Sequence, residues 1–181
     1  KEFKKENQTK HVVENFTRIN TDVYDYSLII GNRRGNQYYI SSNRESATGE
    51  GEYYRIQGGG TDIFVTDIDR KGNISEPVPL PESVNTNLNE GTAVWDSRFS
   101  TMYFTRCPFE EKKKLGCDIY KIEYKGSRFG DAVKLNIKDH DSTNVGHPAL
   151  TNGDATLVFA SDMAGGFGGK DIWRSEITQN G

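Results

Sequence analysis

The chain has 181 residues, a length that fits one domain. Its net charge of −3 gives no pointer to nucleic acid, whose binding favours a basic face, and it contains no apolar run near the ~20 residues needed to cross a bilayer as a helix. Nineteen glycines, nine tyrosines and nine phenylalanines beside two methionines suit an all-β protein rich in turns, and no segment has a useful amphipathic helical pattern.

In chain order, residues 1–10 are polar and read as a linker or frayed arm. They do not look like a secretory signal, so the chain is expected to be a mature protein or an excised piece. The remainder, 11–181, is expected to be one all-β domain. His11–Phe16 is expected to form a strand. It leads into Asn20-Thr21, a pair that returns as Asn85-Thr86 and more weakly as Ser142-Thr143. An extended segment follows each: Tyr26–Ile30, Thr92–Trp95 and Pro148–Leu150. Polar turns come next at 32–36, 96–98 and 152–154, with the Asn, Asp and Gly that positive φ angles favour. Second strands are expected at Tyr38–Ser42, Met102–Arg106 and Leu157–Ser161, short bulky runs suited to burial on both faces.

The third strands open on a repeated signature. Gly60-Thr61-Asp62-Ile63-Phe64, Gly116-Cys117-Asp118-Ile119-Tyr120 and Gly169-Lys170-Asp171-Ile172-Trp173 place their aspartates 56 and 53 residues apart. A period near ~50 residues signals a repeat architecture, and propeller blades of four strands run at roughly 40–50. Alternation in Asp62–Ile68 predicts one more exposed face. Hairpins at 69–73 and 125–128 lead to short fourth strands near Ser75–Leu80 and Asp131–Leu135. The repeats therefore divide the chain at about 20–80, 81–135 and 136–181. The third has no fourth strand. Three such sheets would leave bare strand edges, and propellers usually have roughly four to eight blades, so the expectation is part of a larger β-propeller.

The residues that could carry chemistry have structural explanations. Asp62, Asp118 and Asp171 are expected to accept backbone N–H bonds from their own glycine-rich turns, with Gly165, Gly166, Gly168 and Gly169 shaping the last turn. Cys107 and Cys117 flank one loop, at the end of one strand and the start of its partner. Adjacent antiparallel strands lie within disulfide reach, so a bridge and an oxidising compartment are expected. A metal pair or two free thiols are the alternatives. The histidines His11, His140 and His147 lack metal spacing. Asp67-Ile68-Asp69-Arg70-Lys71-Gly72 begins like a calcium loop, but Lys71 occupies a ligand position and no Glu closes it. The glycine-rich Gly165–Gly169 is followed by a strand rather than a helix and is not a phosphate loop. Asn7-Gln8-Thr9, Asn15-Phe16-Thr17 and Asn73-Ile74-Ser75 match the glycosylation pattern. No nucleophile has a visible base partner, no sialidase-type Asp-box occurs, and no cofactor or metal is expected.

The strings Tyr103-Phe104-Thr105-Arg106, Val158-Phe159-Ala160-Ser161-Asp162 and Gly165-Gly166-Phe167-Gly168-Gly169-Lys170-Asp171-Ile172-Trp173 resemble the WD40-like, TolB-type β-propeller repeat. The glycine-rich version resembles that of OmpA-family envelope proteins of the Bacteroidetes. Thr105-Arg106-Cys107-Pro108, Leu115–Tyr120 and Gly146–Leu150 are similar to the peptidoglycan-anchoring component of the type IX secretion system. The long first loop and the charged, Cys-bounded second loop depart from the glycine-rich pattern. The resemblance covers about residues 12–177. It implies a non-enzymatic periplasmic scaffold beneath the outer membrane, holding other protein subunits while an OmpA-like domain outside this chain grips peptidoglycan. It implies no residues for that grip here. The alternatives are a glycan- or ligand-binding propeller, with Tyr53, Tyr54 and Arg55 as candidates, and the non-catalytic propeller of an enzyme.

Overall fold

Short bulky runs punctuated by Asn, Asp and Gly fold into strands and tight turns throughout. The structure, a computed structural model, describes residues 11–49, 60–108 and 115–178. Among these there is no helix. Sheet 1 contains β1 (Asp25–Ile30), β2 (Gln37–Ser42), β3 (Asp62–Asp67) and β4 (Val78–Pro79). Sheet 2 contains β5 (Asn89–Trp95), β6 (Thr101–Cys107), β7 (Asp118–Glu123) and β8 (Val133–Lys134). Sheet 3 contains β9 (Val145–Thr151), β10 (Thr156–Ser161) and β11 (Asp171–Glu176). Every pairing is antiparallel between chain neighbours.

The sheets stack in chain order because each presents apolar residues on both faces. Tyr39 and Ile63 of sheet 1 meet Ala93, Trp95, Met102 and Phe104 of sheet 2 in one core. Tyr103 and Ile119 of sheet 2 meet Val145, Leu157 and Phe159 of sheet 3 in the other. Trp95 is the hub of the first core, with its ring edge-on to Tyr39 at 5.4 Å and to Tyr124 at 5.7 Å between centroids, and stacked on Phe129 at 6.1 Å. Such aromatic pairs add about 0.5–1.5 kcal/mol each beyond the area they bury.

Each first strand carries a bulge at the same place. The register shifts between Tyr26 and Ile29, between Gly91 and Val94, and between Gly146 and Ala149. At each shift one residue has a left-handed backbone: Ser27 (φ 55°), Thr92 (φ 46°) and His147 (φ 56°). Three non-glycine residues at positive φ in equivalent positions form a repeated device rather than local accidents.

Several expectations need correction. His11–Phe16 is not a strand. Val12 and Val13 are 83 % and 92 % exposed, so no burial rewards an extended pairing there, and the segment ends in a turn in which the Ile19 N–H donates to the Phe16 carbonyl. The first strands of sheets 2 and 3 begin three residues earlier than expected, since Asn89-Glu90-Gly91 and Val145-Gly146-His147 belong to them. Their glycines look like turn residues in sequence but lie in the bulges. The fourth strands shrink to two residues each. The third strands of sheets 1 and 2 do not alternate, because consecutive residues are buried in each, Ile63 and Phe64 in one and Asp118 and Ile119 in the other. Of the three third strands, β11 alternates cleanly.

Candidate functional site

The three signature aspartates occupy the same position, the first residue of the third strand of each sheet, but their partners differ. Asp171 behaves as its sequence suggests: its Oδ2 accepts from the backbone N–H groups of Phe167 and Gly168 at 2.9 and 3.0 Å. Gly166 must lack a side chain there, since a Cβ would lie 2.1 Å from Asp171 Oδ2, while Gly168 and Gly169 face open space. Asp62 accepts from Thr48 through both its N–H and hydroxyl, at 2.9 and 3.0 Å. Its other oxygen is buried without a partner among the described residues, and burial raises its pKa against the bonds from Thr48. Asp118 departs from the expectation. Its partners are the ammonium groups of Lys134 at 3.3 Å and Lys138 at 3.0 Å, not a glycine-rich turn, because a charged loop stands where the glycines would be.

The residues one step outside each aspartate pairing stand at equivalent positions on the second and third strands. In sheet 2 this pair is Cys107 and Cys117. Arg106 pairs with Asp118, so the cysteines fall opposite one another, and they form a disulfide with Cα atoms 4.1 Å apart. The same positions hold Asn43 and Thr61 in sheet 1, and Asp162 and Lys170 in sheet 3. Asp162 accepts from the Asn144 N–H at 2.7 Å and its side-chain amide at 2.8 Å, and its carboxyl is held below the usual range chiefly by that amide, with the Lys170 charge assisting. One geometric position is thus filled by a covalent bond, an amide and a charged carboxylate in turn.

The first strands of the three sheets converge on a cleft of about 230 Å³. Tyr26, Thr92, the Cys107–Cys117 bridge, His147 and Lys170 contribute to its wall. The left-handed residues serve the junctions. The Thr92 N–H donates to Ser41 Oγ and the His147 N–H to Thr105 Oγ1, both at 2.9 Å, tying each first strand to the second strand of the sheet before it. Gly91 and Gly146, immediately upstream, permit the approach: a Cβ on Gly146 would lie 2.9 Å from Thr105 Cγ2. The His147 pKa is lowered, mainly by partial burial and secondarily by Lys170. Among the described residues no cluster of three His, Cys, Asp or Glu side chains could hold a metal ion. Asp139-His140-Asp141 is a polar turn, with Thr143 donating to Asp139 and His140 engaging Ser142. Asp69 closes its own hairpin by accepting from the N–H groups of Lys71 and Asn73.

Sequence reading missed two buried ion pairs. The Arg44 guanidinium meets Asp25 at 2.7 Å and also donates to the Ile19 carbonyl. Arg106 meets Glu90 at 2.6 Å and also donates to the Val84 carbonyl. The guanidiniums lie over the rings of Phe64 and Tyr120, at 4.9 and 4.4 Å. The recurring Asn-Thr was the available signal. Thr21 and Thr86 each donate through N–H and hydroxyl to the acid four residues on, so the pattern is Thr-x-x-x-Asp/Glu answered by an arginine, Arg44 two residues beyond β2 and Arg106 within β6.

Tyr53, Tyr54 and Arg55, Asn7-Gln8-Thr9, and 109–114 of the Cys-bounded loop lie outside the described residues. No described helix is long and apolar enough to cross a membrane. No protein-family model matches the chain, and comparison with curated proteins gives no significant match.

Proposed function

We propose that the three sheets are successive blades of a β-propeller that acts as a non-enzymatic docking frame for other protein subunits. One observation carries this reading: the same junction is built twice, between sheets 1 and 2 and between sheets 2 and 3. In both, a first-strand residue at positive φ donates to a hydroxyl of the preceding sheet, behind a glycine that permits contact. A unit that repeats its own interface makes a rigid frame, and its dissimilar loops supply the variation that recognition needs. The disulfide adds an oxidising compartment. Together with the repeat's resemblance to PorE and related envelope proteins, this supports a periplasmic location for the frame. There it would serve an outer-membrane-associated, peptidoglycan-anchored assembly such as the type IX secretion system. Peptidoglycan itself would be held by a domain outside this chain.

The contact surface in this reading is the set of loops between second and third strands. Replacing residues 108–116 by a short Gly-Ser turn, with Cys107 and Cys117 retained, is expected to reduce capture of envelope partners without unfolding the protein. Unchanged capture removes that loop from the interface, and turnover traced to this chain alone would end the scaffold reading. A ligand-binding propeller is the second reading. It is favoured by the cleft, where Tyr26, His147 and Lys170 offer polar groups beside the disulfide, and it is tested by substituting Lys170 and titrating candidate glycans.

A further inference from the structure

The turns joining first to second strands and third to fourth strands lie at the end of the stack away from the signature aspartates. In sheets 1 and 2 the two turns abut. The Ile68 N–H donates to the Asn36 carbonyl and the Tyr124 N–H to the Ser100 carbonyl, both at 2.7 Å. Each turn is also closed on itself: the N–H groups of Gly35, Gly72, Phe99 and Lys125 donate to the carbonyls of Asn32, Asp69, Asp96 and Arg128, at 3.0 to 3.1 Å. Four rigid tips therefore stand side by side.

Their charge runs against that of the chain. The whole sequence has 23 Lys and Arg against 26 Asp and Glu, whereas residues 32–36, 69–73, 96–100 and 125–128 hold seven Lys and Arg against two acids. Sheet 1 contributes Arg33 and Arg34 on one tip and Arg70 and Lys71 on the other. Sheet 2 contributes Arg98 on one tip, Lys125 and Arg128 on the other. All seven are exposed. Lys125 meets Glu123 at 3.5 Å in a pair open to solvent, of the kind that contributes little. The other six side chains make no hydrogen bond or ion pair among the described residues. The two acids are engaged by their own turns: Asp69 accepts from the N–H groups of Lys71 and Asn73, and Asp96 from the N–H and hydroxyl of Ser100. Asp67, at the end of β3, accepts from the Gln37 amide. The equivalent turn of sheet 3, Asn152-Gly153-Asp154, has no cation. Its Asp154 accepts from the Ser97 N–H at 2.8 Å and bounds the patch.

We infer that this turn end of sheets 1 and 2 is a docking surface for an anionic lipid membrane, whose phosphate headgroups meet the cations of the four tips. The inference goes beyond the docking frame proposed above, whose contact loops lie at the opposite end, and does not rest on it. Geometry selects a plane of charge. The tips are two strand spacings apart within a sheet and one sheet spacing apart between sheets, about 10 Å in both directions. One small anion cannot meet four such points, and an extended acidic peptide meets one row of them. A lipid surface presents negative charge in two dimensions. Five of the seven cations are arginines, whose planar fork matches phosphate oxygens two at a time. Attachment is electrostatic, with nothing inserted. Beside the cations the tips carry Asn, Gly, Ser and Asp, and their single large apolar residue, Phe99, packs against Trp95 with ring centroids 6.4 Å apart. Attraction of this kind acts within a screening length of the surface and is removed by salt.

Co-sedimentation of the full chain with vesicles tests this, using phosphatidylcholine alone and an equal mixture of phosphatidylcholine and phosphatidylglycerol. At about 0.1 M salt, where the screening length is about 10 Å, binding to the mixed vesicles is expected to be at least about tenfold tighter, and at about 1 M, where it is about 3 Å, the difference is expected to vanish. Arg33→Glu with Arg70→Glu on sheet 1, and Arg98→Glu with Arg128→Glu on sheet 2, are each expected to weaken binding to the mixed vesicles at least about tenfold. Arg18→Glu with Arg174→Glu changes the net charge equally outside the patch and is expected to leave binding within about twofold. The patch side chains hold nothing in place, so the urea midpoints of their variants should match the parent. If a variant fails to fold, the lipid and salt dependence of the parent still decides. Equal binding to both vesicle types, or binding to neither, overturns the inference. So does a control pair that loses as much as the patch pairs, since net charge would then be the cause. Loss confined to one sheet's pair would also overturn it, because a plane must touch both. Soluble polyglutamate held by the patch while vesicles are not would make an acidic protein segment the occupant. Failure to capture protein partners at the other end, with vesicle binding intact, would count against the docking frame and leave this surface standing.

Discussion

The Arg106 guanidinium meets the Glu90 carboxylate at 2.6 Å with Glu90 wholly buried, and sheet 1 repeats the pair as Arg44 on Asp25 at 2.7 Å. Sheet 3 does without it. Val145 stands where the acid would be and Met163 where Arg44 would be, with the Met163 N–H on Ser161 Oγ just as the Arg44 N–H is on Ser42 Oγ. The protein thus contains both a charged and an apolar solution to one packing problem.

Breaking one partner should therefore cost more than replacing both. Asp25→Val or Arg44→Met alone leaves an uncompensated buried charge, a loss of about 3–5 kcal/mol. The double substitution, which copies sheet 3, is expected to cost clearly less than either single change. Urea midpoints of the three variants decide this, and additive losses would show that the pair is not coupled.

Asp62 and Asp118 share a strand position but should respond oppositely to Asp→Asn. Asp62 is buried with one oxygen unpartnered among the described residues and its pKa raised by that burial. A raised folded pKa means ionisation opposes folding: stability from this group is present below its ordinary value of 3.8 and is lost as pH rises through the folded value. Asp62→Asn is expected to be near neutral or stabilising at pH 7. Asp118→Asn strips Lys138, itself largely buried, of its carboxylate, and is expected to cost about 1.5–3 kcal/mol, the range of a hydrogen bond to a charged group. Thermal unfolding at pH 7 separates the two, and equal losses would refute the distinction.

The repeat, the strand order and the disulfide were legible because each rests on local chemistry: the Gly-x-Asp-Ile-aromatic signature, turn residues, and two cysteines opposite one another. The junctions were not. Gly91 and Gly146 look like breakers in sequence, and only the backbone shows them inside strands, upstream of a bulge, against Ser41 and Thr105. The partners of the aspartates were hidden for a related reason. An aspartate after a glycine-rich loop caps it, but the second loop is charged, and Lys138, which answers Asp118, lies 20 residues away in sequence. Ile172 carries the opposite lesson. Its sequence environment matches Ile63 and Ile119, and only the stack shows that it is exposed where they are buried.

The Cys107–Cys117 bridge closes about ten residues, for which the chain-entropy model gives about 2.5–3 kcal/mol. Replacing both cysteines by serine is expected to lower stability by that amount. The β6–β7 pairing should persist, since Phe104 and Ile119 keep their burial. The local effect should reach sheet 3, because the Cys117 carbonyl accepts from the Val145 N–H. Faster amide exchange at Val145 in the double mutant is the specific sign, and exchange unchanged there would confine the bridge to its own loop.

His147 combines a left-handed backbone with a lowered pKa, and the two can be separated. Partial burial and Lys170 disfavour the imidazolium in the folded state. Below about pH 6.5 the unfolded chain takes up a proton at this position that the folded chain refuses until its lower pKa is reached. Stability from this residue is therefore present at neutral pH and declines as pH falls through that window. His147→Asn keeps a residue that tolerates positive φ and keeps the N–H bond to Thr105 Oγ1, but cannot titrate. The expected outcome is a variant of similar stability at pH 7.5 whose stability falls less than that of the parent between pH 6.5 and 5. Parallel curves would assign that acid sensitivity to other groups.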